Sequence, residues 1–290
     1  MAKSRKKARP ARKAKKPVKK KAKRAMKKSA GAKKAKKKGV KKAPVKAAKA
    51  SAVKKKPKEE ILRIETGIEG FDELIEGGLP DNSFTLVSGG TGTGKSIFAI
   101  NFLAYGAMQG EPGVYVSLEE GYKENKAQMR MFDWDIDELQ KKGTLMILQP
   151  KIYNFEKLME SIQDAIDSIG AKRLVIDSVS VFEIYFEDQF KTRRNILDLA
   201  RALKEMGVTT LAISETTDEI KGMSRHGVEE FLSDGVVILY LTRKANTFTR
   251  AISIRKMRGT KHSLRMHPID ISVPNGITVY PFEEVFDELK

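Results

Sequence analysis

The sequence predicts an α/β fold: a mostly parallel, twisted sheet flanked by helices, with C-terminal antiparallel strands and a disordered Lys/Ala-rich N-terminal tail. Three observations predict it. Short apolar runs alternate with helical segments between residues 83 and 214, the pattern of a parallel sheet closed by crossover helices. A glycine-rich turn, Gly89-Gly90-Thr91-Gly92-Thr93-Gly94-Lys95-Ser96, separates the first such strand from the first such helix. From Val236 onward the helices stop and strands follow one another across short turns, as in an antiparallel extension of the sheet edge.

Residues 1–58 contain 29 Lys or Arg and no Asp or Glu. The net charge of +19 therefore belongs to a tail of +29 joined to a body of −10. A uniformly basic nucleic-acid-binding domain is excluded, because residues 59–290 are acidic. The tail has no aromatic residue, the first being Phe71, and it cannot bury enough apolar surface to offset its ordering entropy. Like charges at i,i+4 oppose helix, and Pro10, Pro17, Pro44 and Pro57 interrupt it. A flexible polycation binds phosphates without reading bases, so its expected partner is nucleic acid or another polyanion. An acidic protein, a membrane surface or plain solvation are the alternatives.

The body, 59–290, is long enough for one large domain. The chain has no cysteine, which excludes disulfides, zinc ribbons and thiol nucleophiles. No apolar run approaches the ~20 residues of a membrane helix, and the N-terminus lacks the apolar core of a secretory signal. The expected location is the cytoplasm, with nucleoid association through the tail.

Ser83–Ser88 reads as a buried strand and Ile97–Met108 as a buried helix. The turn between them fits the phosphate-loop pattern G-x-x-x-x-G-K-[ST] throughout. Its glycines let backbone N–H groups curl inward around phosphate oxygens, and the helix N-terminus adds partial positive charge. Lys95 is positioned to reach the β- and γ-phosphates of ATP, and the Ser96 hydroxyl to ligate Mg²⁺. Gly113–Glu120 is the next strand and ends in Glu119 and Glu120, either of which is a candidate to polarise the attacking water. Residues 144–149 and 208–214 read as strands, 155–169 and 190–206 as helices. Arg173–Val179 is a strand carrying Asp177, a candidate for the Mg²⁺ shell. Val236–Arg243 and Thr249–Lys256 read as a hairpin, followed by strands near 268–273 and 277–280. Trp134 is expected to pack at a helix end, and His226 and His267 to be structural.

The run Thr66-Gly67-Ile68, Gly70-Phe71-Asp72, Leu74 and Gly77-Gly78-Leu79-Pro80 leads into the phosphate loop. Together with Phe132-Asp133-Trp134-Asp135, Arg225-His226-Gly227-Val228-Glu229-Glu230-Phe231 and Lys256-Met257-Arg258-Gly259-Thr260-Lys261-His262, it resembles the KaiC/RadA branch of the RecA superfamily. The resemblance covers 60–281 and is closest to single-domain, archaeal-type KaiC-like ATPases; the family usually has Gly where Asp133 stands. It implies a RecA-like core, a ring that is usually a hexamer, and ATP held between subunits. It also implies that Lys256 and Arg258 approach the γ-phosphate of a neighbouring subunit, with His262 near that neighbour's nucleotide. Glu215 stands near the family's switch position. The loops 184–194 and 216–233, with Lys191, Arg193, Arg194, Lys221 and Arg225, correspond to those that hold single-stranded DNA in recombinases.

Two departures narrow the reading. The stretch Gly227 to Asp234 has acids and Phe where autophosphorylating relatives carry adjacent Ser/Thr. No zinc or helix-hairpin-helix module precedes the core, unlike in RadA-like recombinases. The expected function is an ATP-hydrolysing, ring-forming, nucleotide-dependent switch. A non-hydrolysing ATP-bound scaffold ring and a DNA repair or recombination ATPase are the alternatives.

Overall fold

The structure is a computed structural model that describes residues 61–151, 154–182, 189–216, 229–244 and 246–283. The chain separates into two units, Met1–Lys56 and Pro57–Lys290, and all described residues lie in the second. The lysine-rich tail, Lys221, Arg225 and His226 lie outside the described residues.

Two very short strands, β1 (Arg63–Ile64) and β2 (Leu79–Pro80), pair antiparallel ahead of the main sheet. The chain then runs β3 (Phe84–Gly89), α1 (Lys95–Met108), β4 (Gly113–Ser117), α2 (Tyr122–Met129), α3 (Ile136–Lys141), β5 (Leu145–Leu148), α4 (Phe155–Ile169) and β6 (Arg173–Asp177). It continues through α5 (Gln189–Glu205), β7 (Thr209–Glu215), α6 (Glu229–Leu232), β8 (Gly235–Lys244), β9 (Thr247–Met257), β10 (Met266–Ser272) and β11 (Gly276–Val279). Among the described residues the main sheet has nine strands in the order β11-β10-β9-β8-β3-β7-β6-β4-β5. The six strands from β8 to β5 are parallel, and β9, β10 and β11 extend the sheet antiparallel. The predicted fold class holds.

β3 lies in the middle of this order and is buried along its whole length. That is why its apolar residues, Phe84, Leu86 and Val87, fall on both faces rather than on one. Successive residues face opposite layers: Val87 packs with Phe98, Phe102 and Tyr115 beneath α1, while Leu86 packs with Leu158, Ile162 and Leu199 beneath α4 and α5. α4 shows how the sequence sets such a helix. Leu158, Ile162, Ala165 and Ile166 form its buried stripe, Asn154 caps it by accepting from Lys157 N at 2.8 Å, and Gly170 ends it at φ 61°. A cap of this kind contributes about 1 kcal/mol.

The structure differs from the sequence expectations at element ends. β4 stops at Ser117, so Glu119 and Glu120 lie in a turn beyond the strand. β6 stops at Asp177, and a 3₁₀ turn, Val179–Val181, follows. Two short helices, α2 and α3, flank Trp134; their polar sequences carry little apolar periodicity, so the sequence set no bounds for them. Trp134 is buried and stacked on Phe132 at 4.7 Å, immediately before the α3 cap Asp135. His267 is buried between the Ser263 hydroxyl and the Glu283 carbonyl, a structural role as expected. No helix among the described residues is long and apolar enough to cross a membrane.

Candidate functional site

Parallel strands aim their C-terminal ends at one edge of the sheet, and ligands of open α/β sheets bind outside that edge. Here β3, β4, β6 and β7 deliver Gly89, the Glu119–Glu120 turn, Asp177 and Glu215 to it. Residues 90–94 wrap from β3 into α1, and Gly94 precedes the helix at φ 102°, a backbone angle that disfavours any side chain. A Cβ at Gly89 would stand 2.4 Å from the Leu239 carbonyl oxygen of β8, so only glycine lets that strand approach. Thr93 Oγ1 donates to the Gly90 carbonyl at 2.9 Å and braces the loop.

Lys95, only 9% exposed, donates from Nζ to the same Gly90 carbonyl at 2.9 Å. Burial lowers its pKa, while Glu215, Asp177 and Glu119 oppose that shift with their negative charge. Ser96 Oγ donates to Asp177 Oδ2 at 3.0 Å, and the Tyr115 hydroxyl donates to the same oxygen at 2.5 Å. Burial raises the pKa of Asp177, and the hydrogen bonds from Tyr115 and Ser96 work against that rise.

The two glutamates part company beyond β4. Glu119 accepts a hydrogen bond from Ser178 Oγ, the residue next to Asp177. Glu120 accepts from Gln128 Nε2 at 3.0 Å and lines the cleft. Its pKa is raised by burial first, then by the charges of Asp177 and Glu119. The turn itself is tied down: Ser117 Oγ donates to the Glu120 carbonyl at 2.8 Å, and Asn125 Nδ2 donates to Ser117 Oγ at 2.8 Å. Glu215 N donates to Ser180 Oγ at 2.9 Å, which fixes the end of β7 beside the loop.

These groups surround a cleft of about 490 Å³ lined by Thr91, Gly92, Gly94, Lys95, Ser96, Ile97, Glu120, Gln128, Glu215, Arg250 and Ile271. Arg250 of β9 donates to the Gly92 carbonyl at 3.1 Å and was not singled out from the sequence. Neither were Tyr115 and Ser117 of β4 or Asn125 and Gln128 of α2.

Lys256, Arg258 and His262 lie elsewhere. β9 runs antiparallel to β8, so Met257 pairs with Gly235, which is level with Thr85 at the start of β3. The Arg258 backbone bonds Asp234, and Asp234 bonds Phe84. That is five residues before Gly89, roughly 16 Å along the strand. Lys256 Nζ donates to the carbonyls of Glu230 at 3.0 Å and Ser233 at 2.5 Å. Its pKa is lowered by burial and by the nearby Arg258 charge. Arg258 pairs with Asp234 at 3.2 Å, which Lys204 also approaches to 2.5 Å. His262 Nδ1 donates to the Ser263 carbonyl at 2.8 Å. Lys256 and Arg258 therefore lie level with the start of β3, away from the glycine-rich loop at its end.

Comparison with known proteins gives one consistent result. A family model described as "ATPase: KaiC" matches residues 64–284. A UPF0273 protein of Thermotoga maritima is 37% identical over 240 residues, covering 77% of this chain and 98% of that one. The circadian clock oscillator protein KaiC of Acaryochloris marina is 38% identical over 237 residues, and the match spans 78% of this chain but 45% of the clock protein. The crystal structure of a KaiC-like protein from Pyrococcus horikoshii OT3 superposes with a TM-score of 0.71 at 43% identity, covering 77% of this chain and all of that one.

Proposed function

From the premise that this chain belongs to the KaiC family of ATPases, we propose that it hydrolyses ATP slowly and acts as a nucleotide-dependent switch within a ring of identical subunits, a hexamer in the family's usual form. The observation that supports this most directly is the convergence of Lys95, the Ser96–Asp177 pair and the Glu119–Glu120 turn on one cleft. The residues fit a magnesium nucleotide. The loop offers backbone donors at a helix N-terminus, and Ser96 and Asp177 form a hydroxyl–carboxylate pair at 3.0 Å. Mg²⁺ sites at phosphates use few protein ligands and complete their shell with phosphate oxygens and water.

In this reading Lys95 exchanges the Gly90 carbonyl for the β- and γ-phosphates. Ser96 and Asp177 hold Mg²⁺, which when bound neutralises charge on the phosphate oxygens. Glu119 and Glu120 orient and polarise the attacking water, and Glu215 senses the γ-phosphate at the end of β7. Lys256 and Arg258 act on a neighbour's nucleotide with His262 beside them; the position of the first two level with the start of β3 supports this reading. Residues 59–290 make up the ATPase domain. The polycationic segment 1–58 anchors the protein to nucleic acid in the cytoplasm.

Steady-state hydrolysis tests the reading. Wild-type full-length protein is expected to turn over ATP at the same rate with and without single-stranded DNA. A Glu119→Gln/Glu120→Gln double variant is expected to bind ATP and lose turnover. Strong stimulation by DNA would favour a recombination ATPase instead, and ATP binding with no turnover in the wild type would favour a scaffold ring.

The tail has its own test. If ten of its charges met phosphates, log K would fall against log salt with a slope of about −9. A gel shift with residues 1–58 removed is expected to lose that affinity; equal DNA binding with and without them would remove the anchor.

A further inference from the structure

We propose that Tyr115 is a positioning residue that fixes the metal-binding carboxylate of Asp177. The inference rests on the reading of the cleft as an ATP site. Tyr115 stands on β4 with its ring in the core under α1 and is 0% exposed. A buried phenol needs a partner for its hydroxyl. The structure gives it Asp177 Oδ2 at 2.5 Å, with the Ser96 hydroxyl also in hydrogen-bonding contact.

The sheet makes the pairing specific. β4 and β6 are parallel neighbours in which Ser117 pairs with Asp177 and Tyr115 with Val175. Side chains two residues apart on a strand share a face. Tyr115 is therefore the diagonal neighbour of Asp177 on the side where α1 begins, and its long side chain carries the hydroxyl up to the carboxylate. Two donors meet at Oδ2: Ser96 from the start of α1 and Tyr115 from the sheet below.

They are not equivalent. The terminal torsion of an aspartate is soft and nearly two-fold, so a single donor leaves the group free to swing. Ser96 is itself wanted as a metal ligand, and its position depends on the phosphate loop. Tyr115 belongs to a strand hydrogen-bonded on both sides, by β5 and β6. Its bond holds the carboxylate in the same orientation whatever the loop does. Groups that orient a metal-binding side chain typically change metal affinity by about 10–100-fold when removed.

Tyr115→Phe keeps the ring and deletes only the hydroxyl. Full-length wild type, Tyr115→Phe and Ser96→Ala would be titrated with Mg²⁺ while binding of a fluorescent ATP analogue is followed. In Tyr115→Phe the Mg²⁺ concentration giving half the metal-dependent gain in affinity is expected to rise about tenfold. Affinity for the metal-free analogue and the melting temperature without ligand should stay near wild type. Ser96→Ala sets the scale for loss of a direct ligand. An unchanged Mg²⁺ dependence in Tyr115→Phe would overturn the proposal, as would an equal loss of metal-free binding, which would mark a general packing defect. A wild type that binds no nucleotide would sink both this inference and the reading beneath it.

Discussion

Lys95→Ala is expected to lower ATP affinity by at least about 100-fold and to abolish measurable turnover. A hydrogen bond to a charged group contributes roughly 1.5–3 kcal/mol, and at 1.4 kcal/mol per decade the upper figure is about a 150-fold change. The larger value applies because Lys95 is buried at the base of the cleft, where water cannot replace it. Its ammonium already costs something to hold there, since burial lowers its pKa and three carboxylates nearby offset that. Alanine would leave Glu215, Asp177 and Glu119 facing the nucleotide's phosphates with no intervening cation. The checks are isothermal titration with Mg-ATP and a phosphate-release assay. Retained turnover in Lys95→Ala would remove the phosphate loop from the mechanism altogether.

Arg258→Ala is expected to keep ATP binding and assembly while turnover falls about 10³-fold or more, the lower end of what a cation supplied in trans contributes. The exposed Arg258 pairs with Asp234, which Lys204 also holds. Asp234 is buried, and the penalty of burial is outweighed by Lys204 and the Phe84 N–H, which keep its pKa low. Loss of Arg258 therefore leaves that carboxylate still partnered, and the fold intact. Mixing makes the test sharper. Arg258→Ala subunits retain a working loop, and Lys95→Ala subunits retain the finger, so a mixture should recover turnover that neither has alone. No recovery in a mixture shown to co-assemble would remove the action across subunits.

The phosphate loop was legible in the sequence because its chemistry is local: consecutive residues make the cradle. Asp177 was legible because an apolar strand ended in it. What the sequence hid is what the sheet order brings together. Tyr115 and Asp177 are 62 positions apart and meet because β4 pairs with β6. Arg250 reaches Gly92 across 158 positions, through a hairpin whose first strand pairs with β3. Neither neighbour relation follows from chain order. The Glu119–Glu120 turn was placed on a strand because Leu118 continues the apolar run and still bonds Asp177 of β6, while the bonds of Ser117 and Asn125 that shape the turn come from residues the run does not mark. β1 and β2 are two residues each, too short for any periodicity to announce them.

Each subunit carries the phosphate loop at one edge of its sheet and Arg258 level with the other. An assembly that joined Arg258 to a neighbour's loop head to tail would be directional, with unlike patches in contact. A linear pair completes one of its two sites, a linear chain always wastes a finger at one end and a cleft at the other, and only closure completes them all. Activity per subunit would thus report on assembly itself, rising with protein concentration until the ring closes and staying flat beyond it.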